Sequence, residues 1–176
     1  MKIVLIGAST GGPKKITKII SSLGELKNSA IIIAQHMAHD FLESFSKELN
    51  KITKNKVTIA QNNTNIEPNN IYICEEKTYQ KNKTFIKEKS NHFNPDINTL
   101  FNSFVNSNYK VLGVILTGIG DDGVDGCVNL AQNGSICITE TKKSAIIDGM
   151  PARAREKNIP AFEFDEIIKK IVDFIK

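Results

Sequence analysis

Side chains able to perform acyl transfer follow three separate apolar runs of this sequence. A serine hydroxyl is a weak nucleophile at neutral pH, and a histidine with a pKa of about 6.5 can accept its proton. A carboxylate on the other ring nitrogen fixes the tautomer and stabilises the imidazolium. The candidates are Ser9 after residues 3–6, His36 after residues 30–34, and Asp121 and Asp122 after residues 111–116.

The apolar runs predict buried strands, and helical stripes of apolar residues separate most of them. Strands that alternate with helices indicate a doubly wound, mostly parallel α/β sheet with helices on both faces. We expect a single domain over residues 1–176, with a small, exposed β-excursion at 75–91 and a loop at 62–70. Because ligands of such sheets bind beyond the carboxyl ends of the strands, the three candidates should lie at one edge. The predicted strands are 3–6, 30–34, 57–60, 71–74, 111–116, 135–139 and an edge strand within 160–164.

The turn after the first strand reads Gly7-Ala8-Ser9-Thr10-Gly11-Gly12-Pro13 and precedes a predicted helix. The Gly-x-Ser-x-Gly spacing is that of a nucleophile elbow. Glycine-rich turns at helix N-termini also bind phosphate or dinucleotides, and Ser9 or Thr10 could simply cap the helix. A nucleotide site is disfavoured because His36, not an acidic residue for a ribose, ends the second strand. If the turn is catalytic, backbone N–H groups near Thr10 and Gly120 could bind the oxyanion.

The two aspartates have simpler interpretations as well. Asp122 could be the N-cap of the following helix, and Asp121 an exposed acid of its first turn. A metal site is disfavoured, because the segment 121–125 lacks the spacing and the distal glutamate of a calcium loop. Of the other histidines, His39 and His92 are expected at the surface.

Composition excludes several classes of protein. The net charge of +4 is spread along the chain without a dense basic block, so nucleic-acid binding has no support. The three cysteines lack CxxC spacing and are expected to be small buried residues in a reducing compartment. Neither a signal peptide nor an apolar run of membrane-spanning length is present, so we expect a cytoplasmic protein without membrane insertion.

Taken together, the motifs resemble the catalytic domain of the chemotaxis protein-glutamate methylesterases of the CheB type. The resemblance spans nearly the whole chain. The matching segments are Ile6–Gly12, Ala34–Met37, Leu116–Gly123 and Gly149–Pro151.

The resemblance implies roles for single residues. Ser9 matches the nucleophile and His36 the general base. The carboxylate directly before glycine is the triad acid, which selects Asp122 over Asp121. The backbone at Ile119 is expected to help form the oxyanion hole, and the active-site neighbours expected beside it are Thr10, Gly120 and Met150. After the strand that ends at Cys74, where the family often has a histidine, this chain has Glu75.

The implied reaction is hydrolysis of glutamate γ-methyl esters on the cytoplasmic helices of chemoreceptors, which releases methanol. Some relatives also deamidate receptor glutamines. No cofactor or metal is implied, and we expect a monomer. Family members commonly carry an N-terminal receiver domain, whereas this sequence starts at the catalytic strand, so we expect activity without a phosphodonor. The alternatives are a nucleotide- or phosphate-binding module and a catalytically inactive interaction domain.

Overall fold

The computed structural model describes all 176 residues and contains ten strands and six helices. The strands are β1 (Lys2–Ala8), β2 (Ser29–Gln35), β3 (Lys56–Ile59), β4 (Thr64–Asn65), β5 (Asn70–Ile73), β6 (Lys77–Lys81), β7 (Thr84–Glu88), β8 (Lys110–Ile115), β9 (Ile136–Glu140) and β10 (Ala161–Phe162). The helices are α1 (Gly12–Ser22), α2 (His39–Ile52), α3 (Ile97–Asn102), α4 (Val124–Gln132), α5 (Met150–Glu156) and α6 (Phe164–Ile175).

Seven strands form one parallel sheet in the order β10-β9-β8-β1-β2-β5-β3. The chain leaves β1 toward β2 on one side and later returns to β8 on the other. The carboxyl ends of β1 and β8 therefore flank the point where the winding direction changes, which is where open α/β sheets bind ligands. The predicted doubly wound α/β fold is confirmed.

Apolar side chains alternate along the central strands and fill two cores, one on each face of the sheet. On β1, Ile3 and Leu5 point into one core, and Val4 and Ile6 point into the other. Helices α3, α4 and α5 cover the first core, while α1, α2 and α6 cover the second. None of the six helices combines the length and the apolar composition that crossing a membrane requires.

The predicted β-excursion is present, but it is less exposed than expected. Strands β6 and β7 form an antiparallel hairpin that β4 extends to three strands, so part of the predicted loop at 62–70 is also paired. Phe85 of β7 is fully buried, and its ring packs edge-on against Tyr72 at 4.9 Å between centroids. Alternation along the hairpin places Phe85, Thr78 and Lys87 on its inner face, and Lys77 and Lys81 on the other face.

Acidic residues occupy the first turn of two helices. α2 begins after Ala38 and α6 after Glu163, so Asp40 and Asp165 both lie in a first helical turn. Carboxylates in the first turn interact favourably with the helix dipole. The cysteines match the prediction, because all three are buried and free.

Candidate active site

Ser9 lies in the tight connection between β1 and α1. Its N–H donates to Thr117 O at 2.9 Å, and its carbonyl accepts the N–H of Gly12, also at 2.9 Å. The left-handed backbone of this turn falls on Gly11, where φ is 84°, and Ser9 itself does not have a positive φ. Glycine tolerates that conformation without a steric cost. The turn thus leaves Ser9 half-buried and Thr10 exposed beyond the sheet edge.

The connection after β8 approaches the serine so closely that only glycine fits. A Cβ on Gly118 would lie 2.6 Å from Ser9 Cβ and 2.5 Å from Met150 Sδ. Met150 is fully buried on the other side of this glycine, and its N–H donates to Gly118 O at 2.8 Å. Met150 is therefore a packing neighbour of the site, and its backbone N–H is already occupied.

His36 lies next to this turn because β1 and β2 are parallel neighbours. Its N–H donates to Ala8 O at 2.9 Å, one residue before Ser9. The buried side chain of Gln35 reinforces the arrangement, since its Nε2 donates to Ser9 O at 2.8 Å and to His36 O at 2.9 Å. Gln35 was not among the residues that the sequence singled out. An amide side chain at the end of an otherwise apolar buried strand was the feature that could have identified it.

The imidazole of His36 pairs with the carboxylate of Asp122. Nε2 of the ring lies 2.7 Å from Asp122 Oδ2, and the side chains are 16% and 1% exposed. Because Nε2 is engaged, Nδ1 is the nitrogen left to act on a neighbouring hydroxyl. This use of the two nitrogens is the reverse of that in the Ser-His-Asp template, where the aspartate binds Nδ1. Ser9 Oγ forms no hydrogen bond with His36 in this structure.

The N-terminus of α3 holds Asp122 in place. Oδ2 accepts the N–H of Ile97 at 2.9 Å, and Oδ1 accepts that of Asn98 at 3.0 Å. The first amides of a helix have no intrahelical acceptor, and the helix dipole favours a negative charge there. Asp122 is thus buried as the acceptor of another helix, not as the N-cap of α4, whose cap residue is Gly123. Asp121 is exposed.

Several backbone N–H groups remain free around Ser9. Those of Thr10, Ile119 and Gly120 donate no hydrogen bond within the protein, and all three residues are exposed. Amides of this kind can donate to a ligand oxygen at the sheet edge. A β-bridge between Gly118 and Asp148 anchors the segment 118–120.

An aromatic ring covers one side of the imidazole. Phe93 stacks on His36 with 5.3 Å between the ring centroids and an angle of 4° between the planes. The sequence analysis did not identify Phe93, which lies in a polar stretch without a motif. Parallel stacking restricts rotation of the His36 ring out of this plane, in which Nε2 reaches Asp122.

Glu75 forms an ion-pair cluster at the end of β5. Its carboxylate binds His39 Nδ1 through one oxygen and Lys87 Nζ, at 2.5 Å, through the other. The hydrogen bond that His39 donates to Glu75 raises the pKa of His39 above its ordinary value. Burial alone would raise the pKa of Glu75, but the hydrogen bonds from Lys87 and His39 outweigh it and lower that pKa. His39 is 78% exposed, as the sequence predicted.

Nowhere in the chain do three or more histidine, cysteine, aspartate or glutamate side chains group as metal ligands would. The polar groups of the site are those of hydrolysis by a side-chain nucleophile: a hydroxyl, a His–Asp pair and free amides at one sheet edge.

The fold is that of a family of α/β hydrolytic domains. Residues 4–171 match the model of the CheB methylesterase family, and the chain belongs to that family. The crystal structure of the Thermotoga maritima CheB methylesterase catalytic domain superposes with a TM-score of 0.88 at 28% sequence identity, covering 98% of this chain and 97% of that one.

Curated relatives are longer than this chain. A protein-glutamate methylesterase/protein-glutamine glutaminase of Caldanaerobacter subterraneus is 31% identical over 189 residues, which cover 97% of this chain and 52% of the relative. The Salmonella typhimurium protein of the same name is 32% identical over 163 residues, covering 87% of this chain and 46% of the relative. The chain spans about half the length of the curated relatives it matches.

Proposed function

We propose that this chain is a protein-glutamate methylesterase that hydrolyses glutamate γ-methyl esters on the cytoplasmic helices of bacterial chemoreceptors. The observation that carries the proposal is the pair that His36 forms with Asp122. The pair leaves one ring nitrogen of His36 free, and the backbone N–H of His36 bonds to Ala8 O, directly beside Ser9. A phosphate site at the N-terminus of α1 would not need such a pair next to it. Family membership and the names of the relatives support the same activity.

In this mechanism Ser9 is the nucleophile and His36 the general base. Nδ1 of His36 accepts the hydroxyl proton while Ser9 Oγ attacks the ester carbonyl carbon. Asp122 keeps the proton on Nε2 before the reaction and stabilises the imidazolium once it forms. The imidazolium then gives its proton to the departing methoxide, so methanol leaves and an acyl-enzyme remains. Water, activated by the same imidazole, releases the glutamate.

The charge that develops on the carbonyl oxygen needs donors. The free N–H groups of Thr10, Ile119 and Gly120 are the candidates for this oxyanion hole. One such donor is typically worth about 3 kcal/mol of transition-state stabilisation. Met150 contributes by packing under Gly118 instead of by donating.

The same residues support deamidation of glutamine, which the printed names of the relatives also include. Attack on an amide carbonyl gives the same acyl-enzyme, and the proton from the His36 imidazolium goes to the amide nitrogen as the C–N bond breaks, so that ammonia leaves. We therefore propose glutaminase activity at the same site, with the same dependence on Ser9.

Methanol release from a methylated chemoreceptor tests the proposal. The wild-type chain should release methanol, and Ser9→Ala should reduce the rate to that of buffer. Thr17→Ala is a matched control, because its hydroxyl is exposed on α1 and bonds only to Pro13 O. Turnover by Ser9→Ala at the wild-type rate, or no turnover by the wild type, would refute the proposed function.

A further inference from the structure

A buried lysine–glutamate pair lies beneath the proposed active site and takes no part in the mechanism above. Lys15 on α1 and Glu140 at the end of β9 are joined at 2.5 Å, with side chains 9% and 0% exposed. Both charged groups make further hydrogen bonds. Glu140 Oε2 also accepts the hydroxyl of Ser144 at 2.7 Å, and Lys15 Nζ also donates to Ser144 O at 2.8 Å.

The second oxygen of Glu140 connects the pair to the Ser9 turn. Glu140 Oε1 accepts the N–H of Thr117 at 2.9 Å, and Thr117 O accepts the N–H of Ser9 at 2.9 Å. The hydroxyl of Thr117 donates to Thr10 O at 3.0 Å, so Thr117 holds two successive residues of the turn. Lys15 lies on the helix that starts at the other end of the same turn.

Thr117 also begins the segment that carries the free amides of Ile119 and Gly120. The position of Thr117 therefore determines where the Ser9 turn and the proposed oxyanion donors lie. The Thr117 N–H is in a buried position, where an unpaired donor would be costly, and Glu140 is its only acceptor.

Stability alone does not account for two buried charges at this place. Apolar side chains of similar volume often replace a buried ion pair without loss of stability, whereas removing one partner leaves an uncompensated charge. An apolar pair, however, has no oxygen that can accept the Thr117 N–H. Glu140 supplies this acceptor, and Lys15 neutralises its charge so that the carboxylate can be buried.

We infer that Lys15 and Glu140 are positioning residues for ester hydrolysis, acting through Thr117 on Ser9 and on the amides of residues 119 and 120. The inference rests on the proposed function. Neither residue contacts substrate, because the pair is covered by the protein. Loss of the oxygen that accepts Thr117 N–H should therefore lower kcat and leave KM unchanged.

Two double variants separate the acceptor from the packing. Lys15→Met with Glu140→Gln removes both charges but keeps a carbonyl oxygen for Thr117 N–H. Lys15→Met with Glu140→Met removes the acceptor as well. We expect the first to retain kcat within about threefold of wild type. The second should lose about tenfold or more in kcat, with KM within about twofold and a similar free energy of unfolding in urea.

The control is Lys18→Met, which breaks the exposed ion pair with Asp165 from the same helix α1. Its kcat should equal that of the wild type. Should the Glu140→Met double variant not fold, Lys15→Met with Glu140→Ala replaces it, because alanine also removes the acceptor of Thr117 N–H and leaves no charge unpaired, and the same tenfold loss in kcat is expected.

Methyl-ester hydrolysis by each purified variant is the measurement. Equal kcat in the two double variants would overturn the inference, as would a change in KM or a tenfold loss in the double variant that carries Glu140→Gln. Those results leave the proposed function intact as long as the wild type is active and Ser9→Ala is not. An inactive wild type would refute the proposed function and this inference together.

Discussion

Asp122 is the residue on which three separate donors converge. Its two oxygens accept the amides of Ile97 and Asn98 and the Nε2–H of His36, and the side chain is only 1% exposed. This arrangement fixes the carboxylate before any substrate arrives. Asp122 therefore contributes to the stability of the fold as well as to the proposed reaction, unlike its exposed neighbour Asp121.

Replacing Asp122 by asparagine should therefore have two effects. The amide group cannot serve all three donors, so one α3 amide loses its acceptor, at a cost of about 1–3 kcal/mol of unfolding free energy. The His36 tautomer is reversed as well, and such a change in a Ser-His-Asp triad costs about 10⁴ in turnover. Methanol release and urea unfolding measure the two effects.

Asp121→Asn is the matched control at the adjacent position. Because the side chain is exposed, both the rate and the unfolding free energy should stay near those of the wild type. If Asp121→Asn lowers turnover more than Asp122→Asn does, the assignment of the triad acid is wrong.

At the scale of elements, α3 is held against the site by two glycines. A Cβ on Gly7 would lie 2.7 Å from Ile97 Cγ2, and one on Gly123 would lie 2.4 Å from the same atom. The first residue of α3 thus rests directly on the end of β1 and on the start of α4. This contact sets where the amides that bind Asp122 lie.

Gly123→Ala should displace α3. The φ of Gly123 is 89°, so alanine is strained by about 1–2 kcal/mol, and the clash with Ile97 adds about 1–3 kcal/mol. Gly134 has a similar φ of 87° and no atom near its missing Cβ, so Gly134→Ala should show the backbone cost alone. Urea unfolding of the two variants gives the comparison. Equal losses would show that α3 does not depend on this contact.

The His39–Glu75 contact joins α2 to the end of β5 and should make stability depend on pH. The pKa of His39 is raised in the folded state, so its contribution is fully present below its unfolded pKa and is lost as pH rises through the folded value. The pKa of Glu75 is lowered, so its contribution disappears as pH falls through that lower value. The contact therefore stabilises the protein mainly in the mildly acidic range.

His39→Ala should consequently destabilise the chain near pH 6 and have little effect near pH 9. Thermal unfolding across this range measures the difference, with His92→Ala as the control because His92 forms no ion pair in the structure. A loss of stability in His39→Ala that is the same at both pH values would contradict the role of protonated His39.

At the scale of the whole molecule, the sequence predicted the parts that depend on periodicity. Buried apolar runs identified every long strand of the parallel sheet. Because the carboxyl ends of parallel strands share one edge, the sequence also predicted that Ser9, His36 and Asp122 lie at the same edge. Periodicity did not reveal Gln35, the α3 cradle of Asp122 or the Lys15–Glu140 pair. Those contacts join residues far apart in the chain, and only the tertiary packing brings them together.

Two further features of this chain could not be predicted from its pattern of apolar residues. The hairpin β6–β7 is rich in lysine, so its composition suggested exposure, yet Phe85 anchors one face in the core. The ring orientation of His36 was equally beyond the sequence, because it follows from Phe93 and from the direction in which α3 points Asp122.

The central claim is that Ser9 is a nucleophile activated by His36. Reaction with a phosphonofluoridate, followed by peptide mass spectrometry, identifies the modified residue and its rate of labelling. We predict one adduct per chain, on Ser9, formed about 10²-fold or more slowly in His36→Gln and at the wild-type rate in His92→Gln. An adduct on another residue, or labelling of Ser9 that is equally fast without His36, would contradict the account.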